Sequence, residues 1–222
     1  MKTKVLLALL SFAGAAAAQN QTLDYPEGAD WATVSRPAGS IIAGSSHIDN
    51  DEFAVPLGRY YNSKFGKTVT ATGAVDTLAY SGPATVSSFE NMNLLTTQLT
   101  GEGYEPIFAC VREQCNAAAF AYAFRSPLLA VLGGTGYHNF ALESLGAAGG
   151  DMRYTAFQKG TEYMCVMTVL NPGRHSGVLL VNVGGSHDAP AAPAKGGATK
   201  PGVTKPAVKP VTKPAVLKPG QP

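Results

Sequence analysis

The residues best suited to chemistry lie close together between Ser45 and Glu52. Ser45, His47 and Asp49 supply the hydroxyl, imidazole and carboxylate that a serine hydrolase combines. Alternate residues of a strand share a face, so these three side chains would line one face side by side. Neither Ser45 nor Ser46 lies in the strand–turn–helix elbow that exposes a nucleophilic serine. A small exported hydrolase using Ser45 or His47 is therefore kept as the alternative hypothesis.

Two further patterns contain residue types that bind ligands, but their spacing predicts turns. His47, Asp49, Asp51 and Glu52 could gather a divalent cation, but they lack the glycine and the distant glutamate of an EF-hand loop. The glycine-rich segment 133–136 lacks the lysine and hydroxyl residue of a phosphate-binding loop. We expect a solvated acidic turn and a glycine turn, and we assign neither a metal nor a cofactor.

The three cysteines fall into a pair and a single residue. Cys110 and Cys115 bracket four residues, a spacing that a disulfide across a tight loop can close. No histidine or third cysteine is near enough in sequence to complete a zinc site. Cys165 lies in the apolar segment 162–170, which predicts a buried strand with an inert thiol. The alternatives are that Cys165 pairs with Cys110 or Cys115, or with another chain.

Residues 1–18 have the composition of a signal peptide. Lys2 and Lys4 give a positive start, an apolar run follows from Val5 to Phe12, and small residues end at Ala18, where we expect cleavage. The apolar run is shorter than the roughly 20 residues of a membrane-spanning helix. No later segment reaches that length without a charge or glycines. We therefore expect a periplasmic or secreted protein, in a compartment where disulfides form.

Residues 188–222, which we call the Lys-Pro tail, consist almost entirely of Ala, Pro, Lys, Gly, Val and Thr. Irregular repeats of T-K-P-x-V place a proline every four or five residues, which blocks both helix and sheet. This composition predicts a disordered segment, partly in the polyproline II conformation.

Charge separates the Lys-Pro tail from the body. Residues 19–187 contain nine basic and fourteen acidic residues, whereas the tail contains six lysines and one aspartate. The tail is either a passive end, a docking segment for a partner domain, or a contact for an anionic envelope polymer such as peptidoglycan. In the last case we expect the contact to be made by Lys200, Lys205, Lys209, Lys213 and Lys218. The tail has no arginine and no aromatic residue, so nucleic acid is not expected as a partner.

The body, residues 19–187, has the length of one domain and predicts an α+β fold with an antiparallel sheet. We expect one main helix at about 88–101, because Ser88 can cap it and apolar residues recur at helical spacing. Those apolar residues are Phe89, Met92, Leu95 and Leu99.

The remaining elements of the body are read as strands, apart from a short helix at 139–145. Strands are expected at 39–47 and 53–57 around the acidic turn, and at 67–80, 104–110 and 117–124. The end of the body predicts an antiparallel meander over 152–158, 163–170 and 177–183. Its two connections, 159–160 and 171–173, have turn-forming residues.

The order of these elements resembles the exported bacterial family known as domain of unknown function 4892, over most of 24–183. The matching features are an acidic strand ending in Pro-Leu-Gly, a serine-capped helix, a Gly-aromatic step into a Phe-x-Cys strand, and a closing Arg-Tyr strand; they lie at 52–58, 88–101, 103–110 and 153–154. The chain departs from the family at Cys115-Asn116, where the family usually has Cys-Gly. The resemblance implies an exported envelope protein with an α+β body. It carries no assigned activity, so no catalytic residue is transferred.

Some members of that family carry a peptidoglycan-binding domain after this one, whereas this chain has only the Lys-Pro tail. We therefore expect a non-enzymatic, exported cell-envelope protein of the periplasm. Its body would supply folding and recognition, and its tail would tether it weakly to an anionic polymer.

Overall fold

The computed structural model describes residues 21–185, which contain eight strands and three α-helices. The strands are β1 (Ile41–Pro56), β2 (Tyr60–Tyr61), β3 (Lys64–Phe65), β4 (Thr68–Pro83), β5 (Glu105–Val111), β6 (Met152–Lys159), β7 (Glu162–Asn171) and β8 (His175–Val183). The helices are α1 (Ser88–Gly101), α2 (Ala117–Val131) and α3 (Gly136–Ser144), and a single 3-10 turn (Arg112–Gln114) precedes α2. The α+β class is confirmed. The predicted signal peptide and the Lys-Pro tail lie outside the described residues.

Six strands form one antiparallel sheet in the order β1-β4-β8-β7-β6-β5, and β2 pairs with β3 in a separate ribbon. The predicted C-terminal meander is confirmed, because β6, β7 and β8 are consecutive neighbours in this sheet. Gly160 and Gly173 lie in its two turns at φ 59° and 73°, a left-handed backbone that glycine adopts without a steric penalty.

Helices cover both faces of the sheet. On one face, the Thr168 hydroxyl of β7 donates to the backbone carbonyl of Ser88 in α1 at 2.8 Å. On the opposite face, the Ser144 hydroxyl of α3 donates to the Ser81 hydroxyl of β4 at 2.8 Å. The first is called the α1 face. The second, which carries both α2 and α3, is called the α2 face. Both surfaces of the central strands β7 and β8 are therefore buried, which explains their nearly continuous apolar sequences.

Helix α1 spans the residues predicted for it, Ser88–Gly101, but its N-cap lies one residue earlier than expected. Its N-cap is Ser87, whose hydroxyl accepts from the backbone N–H of Glu90, while the Glu90 carboxylate accepts from the Ser87 backbone N–H. This reciprocal pair is a capping box, which satisfies two unpaired donors at the helix start. Ser88 is buried instead, and its hydroxyl donates to the Asp151 carboxylate at 2.9 Å.

The apolar face of α1 also differs from the prediction at Phe89. Met92, Leu95 and Leu99 are buried as expected, but Phe89 is 52% exposed. The guanidinium carbon of Arg153 lies 4.9 Å from the centroid of the Phe89 ring, a cation–π contact at the surface. Phe89 thus lies beside the buried stripe of the helix and not within it.

The predicted strand at 117–124 is wrong: these residues form the first half of α2. The alternation of alanine with aromatic residues imitated the two-residue period of a strand. Alanine has the highest helix propensity, and Phe120, Phe124 and Leu128 recur every four residues on one buried face. The short helix predicted at 139–145 is present as α3. Residues 21–185 therefore contain three α-helices, where the sequence predicted one main helix and one short helix.

The predicted acidic turn at 49–52 is wrong as well, because β1 runs through it as one strand of 16 residues. Its pairing with β4 shifts register between Ile48 and Asp51, which face Val75 and Gly73. The strand thus accommodates one extra residue in a bulge, which increases bend and twist locally. β4 confirms the long strand predicted at 67–80 and also has 16 residues.

The far half of the β1–β4 hairpin bends across the α2 face. The hydroxyl of Tyr154, a fully buried residue of β6, donates to the backbone carbonyl of Pro56 at 3.1 Å. The ring of Tyr154 packs against Phe120 and Phe124 of α2, with centroids 4.7 and 5.3 Å away. The buried face of helix α2 therefore contacts both β6 of the sheet and β1 of the hairpin.

Candidate functional site

His47, one of the hydrolase-type residues, forms ion pairs with Asp49 and with Asp76 of the neighbouring strand, and we call these three residues the ionic brace. Ser45 and His47 lie on the α1 face of β1, and the register places His47 opposite Asp76 of β4. The His47 Nδ1 is 2.6 Å from Asp76 Oδ1, and its Nε2 is 2.9 Å from Asp49 Oδ1. The hydrogen bond and charge of Asp76, followed by those of Asp49, raise the pKa of His47.

The hydrogen bonds of Ser45 and His47 do not link the two side chains. The Ser45 hydroxyl donates to the backbone carbonyl of Glu27 at 3.1 Å. Both nitrogens of His47 contact carboxylates, so neither is positioned to accept the hydroxyl proton. The alternative hypothesis of a hydrolase at Ser45 therefore gains no geometric support from this pair, and it stays a prediction.

A shallow cleft of about 360 Å³ lies over this brace on the α1 face. It is lined by Glu27, Ala29, Trp31, Ser45, Ser46, His47, Asp76 and Thr77. Asp76 was not identified from the sequence. Its role depends on strand register, which the spacing of residues within β1 does not reveal.

The disulfide predicted between Cys110 and Cys115 is present, at the end of β5. The loop that it closes supports the tip of the β1–β4 hairpin. The backbone carbonyl of Cys115 accepts from the Tyr60 N–H at 3.1 Å, and the side-chain amide of Asn116 donates to the Tyr60 carbonyl at 3.0 Å. Cys110 and Cys115 therefore have a structural role that connects the sheet edge at β5 to the far end of the hairpin.

Asn116 follows Cys115 directly and is the N-cap residue of α2. Its backbone has φ 63°, a left-handed conformation that glycine adopts freely and asparagine tolerates better than most residues. The backbone conformation at this position is thus one that a glycine would also adopt, and the amide side chain adds the hydrogen bond to Tyr60.

Cys165 is a free and fully buried thiol in β7, as the sequence predicted. Burial raises the pKa of this thiol to about 12, although a hydrogen bond with Tyr154 lowers it in part. A thiol that stays protonated and inaccessible is a poor nucleophile. Disulfide pairing of Cys165 with Cys110 or Cys115 is excluded in this structure, because those two cysteines are bonded to each other.

The α2 face carries a feature that the sequence did not reveal: an apolar groove between β1 and α2, with a volume of about 220 Å³. We call it the β1–α2 groove. Its floor is formed by Val75, Thr77 and Val181 of the sheet. Its walls are formed by Ser46, Ile48 and Phe53 of β1 and by Phe124, Pro127, Leu128 and Val131 of α2, and its rim carries Asp51 and Glu52.

Two close contacts set the separation of the groove walls. Phe53 of β1 packs edge-to-face against Phe124 of α2, with ring centroids 6.4 Å apart. At the other end, a side chain on Gly44 would place its Cβ 2.7 Å from a methyl carbon of Leu132, so a larger residue there would require that leucine to shift. The wall residues fall between these two contacts along both elements, which leaves a gap in the packing there.

The remaining predicted site lies outside the described structure. The tail lysines Lys200, Lys205, Lys209, Lys213 and Lys218 belong to residues beyond 185. Within 21–185, no group of three or more His, Cys, Asp or Glu side chains is arranged to hold a metal ion. None of the helices in that range has the length and apolar character needed to span a bilayer.

Comparison with known proteins gives no further assignment. No protein-family model matches the chain, and no curated protein matches it. The resemblance to the domain of unknown function 4892 family therefore stays a prediction based on its sequence motifs.

Proposed function

We propose that the chain is a non-enzymatic, exported protein of the cell envelope, retained there by its Lys-Pro tail. The observation that carries this proposal is the segregation of charge. Residues 19–187 have five more acidic than basic residues, and residues 188–222 have five more basic than acidic residues. The Cys110–Cys115 disulfide supports export, because disulfides persist in oxidising compartments such as the periplasm.

The charge pattern favours attachment through the tail alone. Lysines spaced along an extended segment attract an anionic polymer such as peptidoglycan, while the acidic body is repelled by it. The attraction is weak for each lysine and is screened within about 10 Å at 0.1 M salt. Binding should therefore depend on several lysines together and should fall as salt increases.

Co-sedimentation with isolated peptidoglycan sacculi tests this attachment. The complete mature chain is compared with a variant in which Lys200, Lys205, Lys209, Lys213 and Lys218 are replaced by glutamine, at low and high salt. The matched control replaces the exposed body residues Lys64 and Lys67 by glutamine.

We expect the chain and the body control to pellet at low salt and the tail variant to stay in solution. All three proteins should melt at the same temperature, because the substitutions lie on exposed positions or beyond the described fold. Pelleting of the tail variant would move the attachment site to the body. Failure of every protein to pellet would refute the peptidoglycan tether.

A further inference from the structure

The β1–α2 groove leaves large apolar side chains in contact with solvent. Ile48 is 46% exposed and Val131 is 54% exposed, and they lie on opposite walls of the groove. Exposed apolar side chains that occur singly are ordinary. These two lie beside the buried side chains of Leu128 and Phe124 and so form one continuous apolar surface. Burying such a surface against an occupant would release its ordered water.

The charge around the groove restricts what can occupy it. Asp51 and Glu52 lie at its rim, and none of its lining residues is basic. Both carboxylates are exposed, and Asp51 already accepts from the backbone N–H of Glu52 at 2.8 Å. An anionic lipid or polymer would be repelled here. An occupant that combines apolar groups with a positive charge would be complementary to both parts of the surface.

The position of the groove at a sheet edge favours a peptide over a small amphiphile. β1 is the first strand of the sheet order and pairs with β4 on one side only. An extended segment lying along β1 could place alternate side chains in the groove and pair its backbone with the strand edge.

From these observations we propose that the β1–α2 groove binds an extended segment of a partner protein that carries lysine or arginine beside aliphatic residues. The aliphatic side chains contact Ile48, Phe124 and Val131, and the cation contacts Asp51 and Glu52. This interaction would make the body a recognition module in its own right, independent of attachment through the Lys-Pro tail.

The test measures fluorescence polarisation with a labelled hexapeptide of alternating valine and lysine, and with its counterpart of alternating valine and glutamate. We expect the lysine peptide to bind the complete chain about tenfold more tightly than the glutamate peptide at low salt. Equal binding of the two peptides would refute the role assigned to the acidic rim.

Two pairs of variants locate the binding. Ile48→Ser with Val131→Ser should weaken binding about tenfold, because each substitution removes exposed aliphatic carbon from the groove. The matched control, Tyr122→Ser with Leu94→Ser, removes exposed apolar side chains elsewhere and should leave binding unchanged. Asp51→Asn with Glu52→Gln should weaken binding about fivefold at low salt. Its matched control, Glu102→Gln with Glu113→Gln, alters exposed glutamates elsewhere and should leave binding unchanged.

Three results would overturn the proposal. Binding that is insensitive to both groove pairs would place the peptide elsewhere. Equally tight, groove-dependent binding of dodecylamine would identify a small amphiphile as the occupant. Binding that tightens when the chain ends at residue 187 would show competition by the Lys-Pro tail, and that tail would then be the occupant. All variants alter exposed residues, and unchanged circular dichroism spectra would show that they fold.

Discussion

The left-handed backbone at Asn116 predicts that glycine there is more stabilising than alanine, whereas the opposite order is expected at Asn93 in helix α1. Asn116→Ala loses the 3.0 Å hydrogen bond to the Tyr60 carbonyl, worth about 1 kcal/mol, and retains a φ that disfavours alanine. Asn116→Gly loses the same hydrogen bond but removes the steric cost, which is roughly 1–2 kcal/mol for an L-residue. We therefore expect the glycine variant to be more stable than the alanine variant by about 1 kcal/mol.

Asn93 supplies the matched control, since it is exposed in the middle of α1 with ordinary helical geometry. There the order of stability should reverse. The free energy of unfolding of Asn93→Ala should exceed that of Asn93→Gly by about 1 kcal/mol, because glycine is unfavourable in the interior of a helix. The assay is urea unfolding of the four oxidised variants, with the free energy taken from the linear dependence on denaturant. Equal stability of the two Asn116 variants would refute the assigned backbone conformation.

Three further predictions concern the ionic brace, the disulfide and the core. The raised pKa of His47 means that its stabilising contribution is complete below the pKa of the unfolded imidazole, near 6.5, and is lost as pH rises through the folded value. We therefore compare the unfolding free energies of the unchanged chain and of His47→Gln from acid to alkaline pH. The difference between them should shrink as pH rises. A difference that grows with pH would contradict the ionic brace. Replacing Cys110 and Cys115 by serine should lower the free energy of unfolding in urea by about 2 kcal/mol and increase the amide exchange rate at Tyr60. An unchanged exchange rate at Tyr60 would show that the disulfide loop does not support the hairpin tip. The Cys165 thiol should react with a thiol reagent only in denaturant, and labelling of the native chain would contradict its burial.

The sequence predicts those elements whose stability depends on local patterns. The meander of β6 to β8 has turn residues at both connections, and α1 has a serine cap with a buried stripe from Met92 to Leu99. The disulfide follows from the short spacing of its two cysteines. In each case the residues that determine the structure are close in sequence.

The features that were missed depend on contacts between distant residues. The alternating pattern at 117–124 fits a strand as well as a helix, and burial of Phe120 and Phe124 against Tyr154 of β6 favours α2. The acidic segment at 49–52 fits a turn, but pairing with β4 extends β1 through it. The β1–α2 groove combines side chains from four elements, so no single segment indicates it.

Fractionation of bacterial cells that express the complete chain tests the central claim of export and tail-dependent retention most directly. We expect a processed chain that begins at Gln19, with its disulfide formed, which remains with the envelope at low salt and is released at high salt. The variant with five tail lysines replaced by glutamine should be processed equally but recovered in the soluble periplasmic fraction. An unprocessed chain in the cytoplasm would contradict export, and equal retention of both proteins would contradict attachment through the tail lysines.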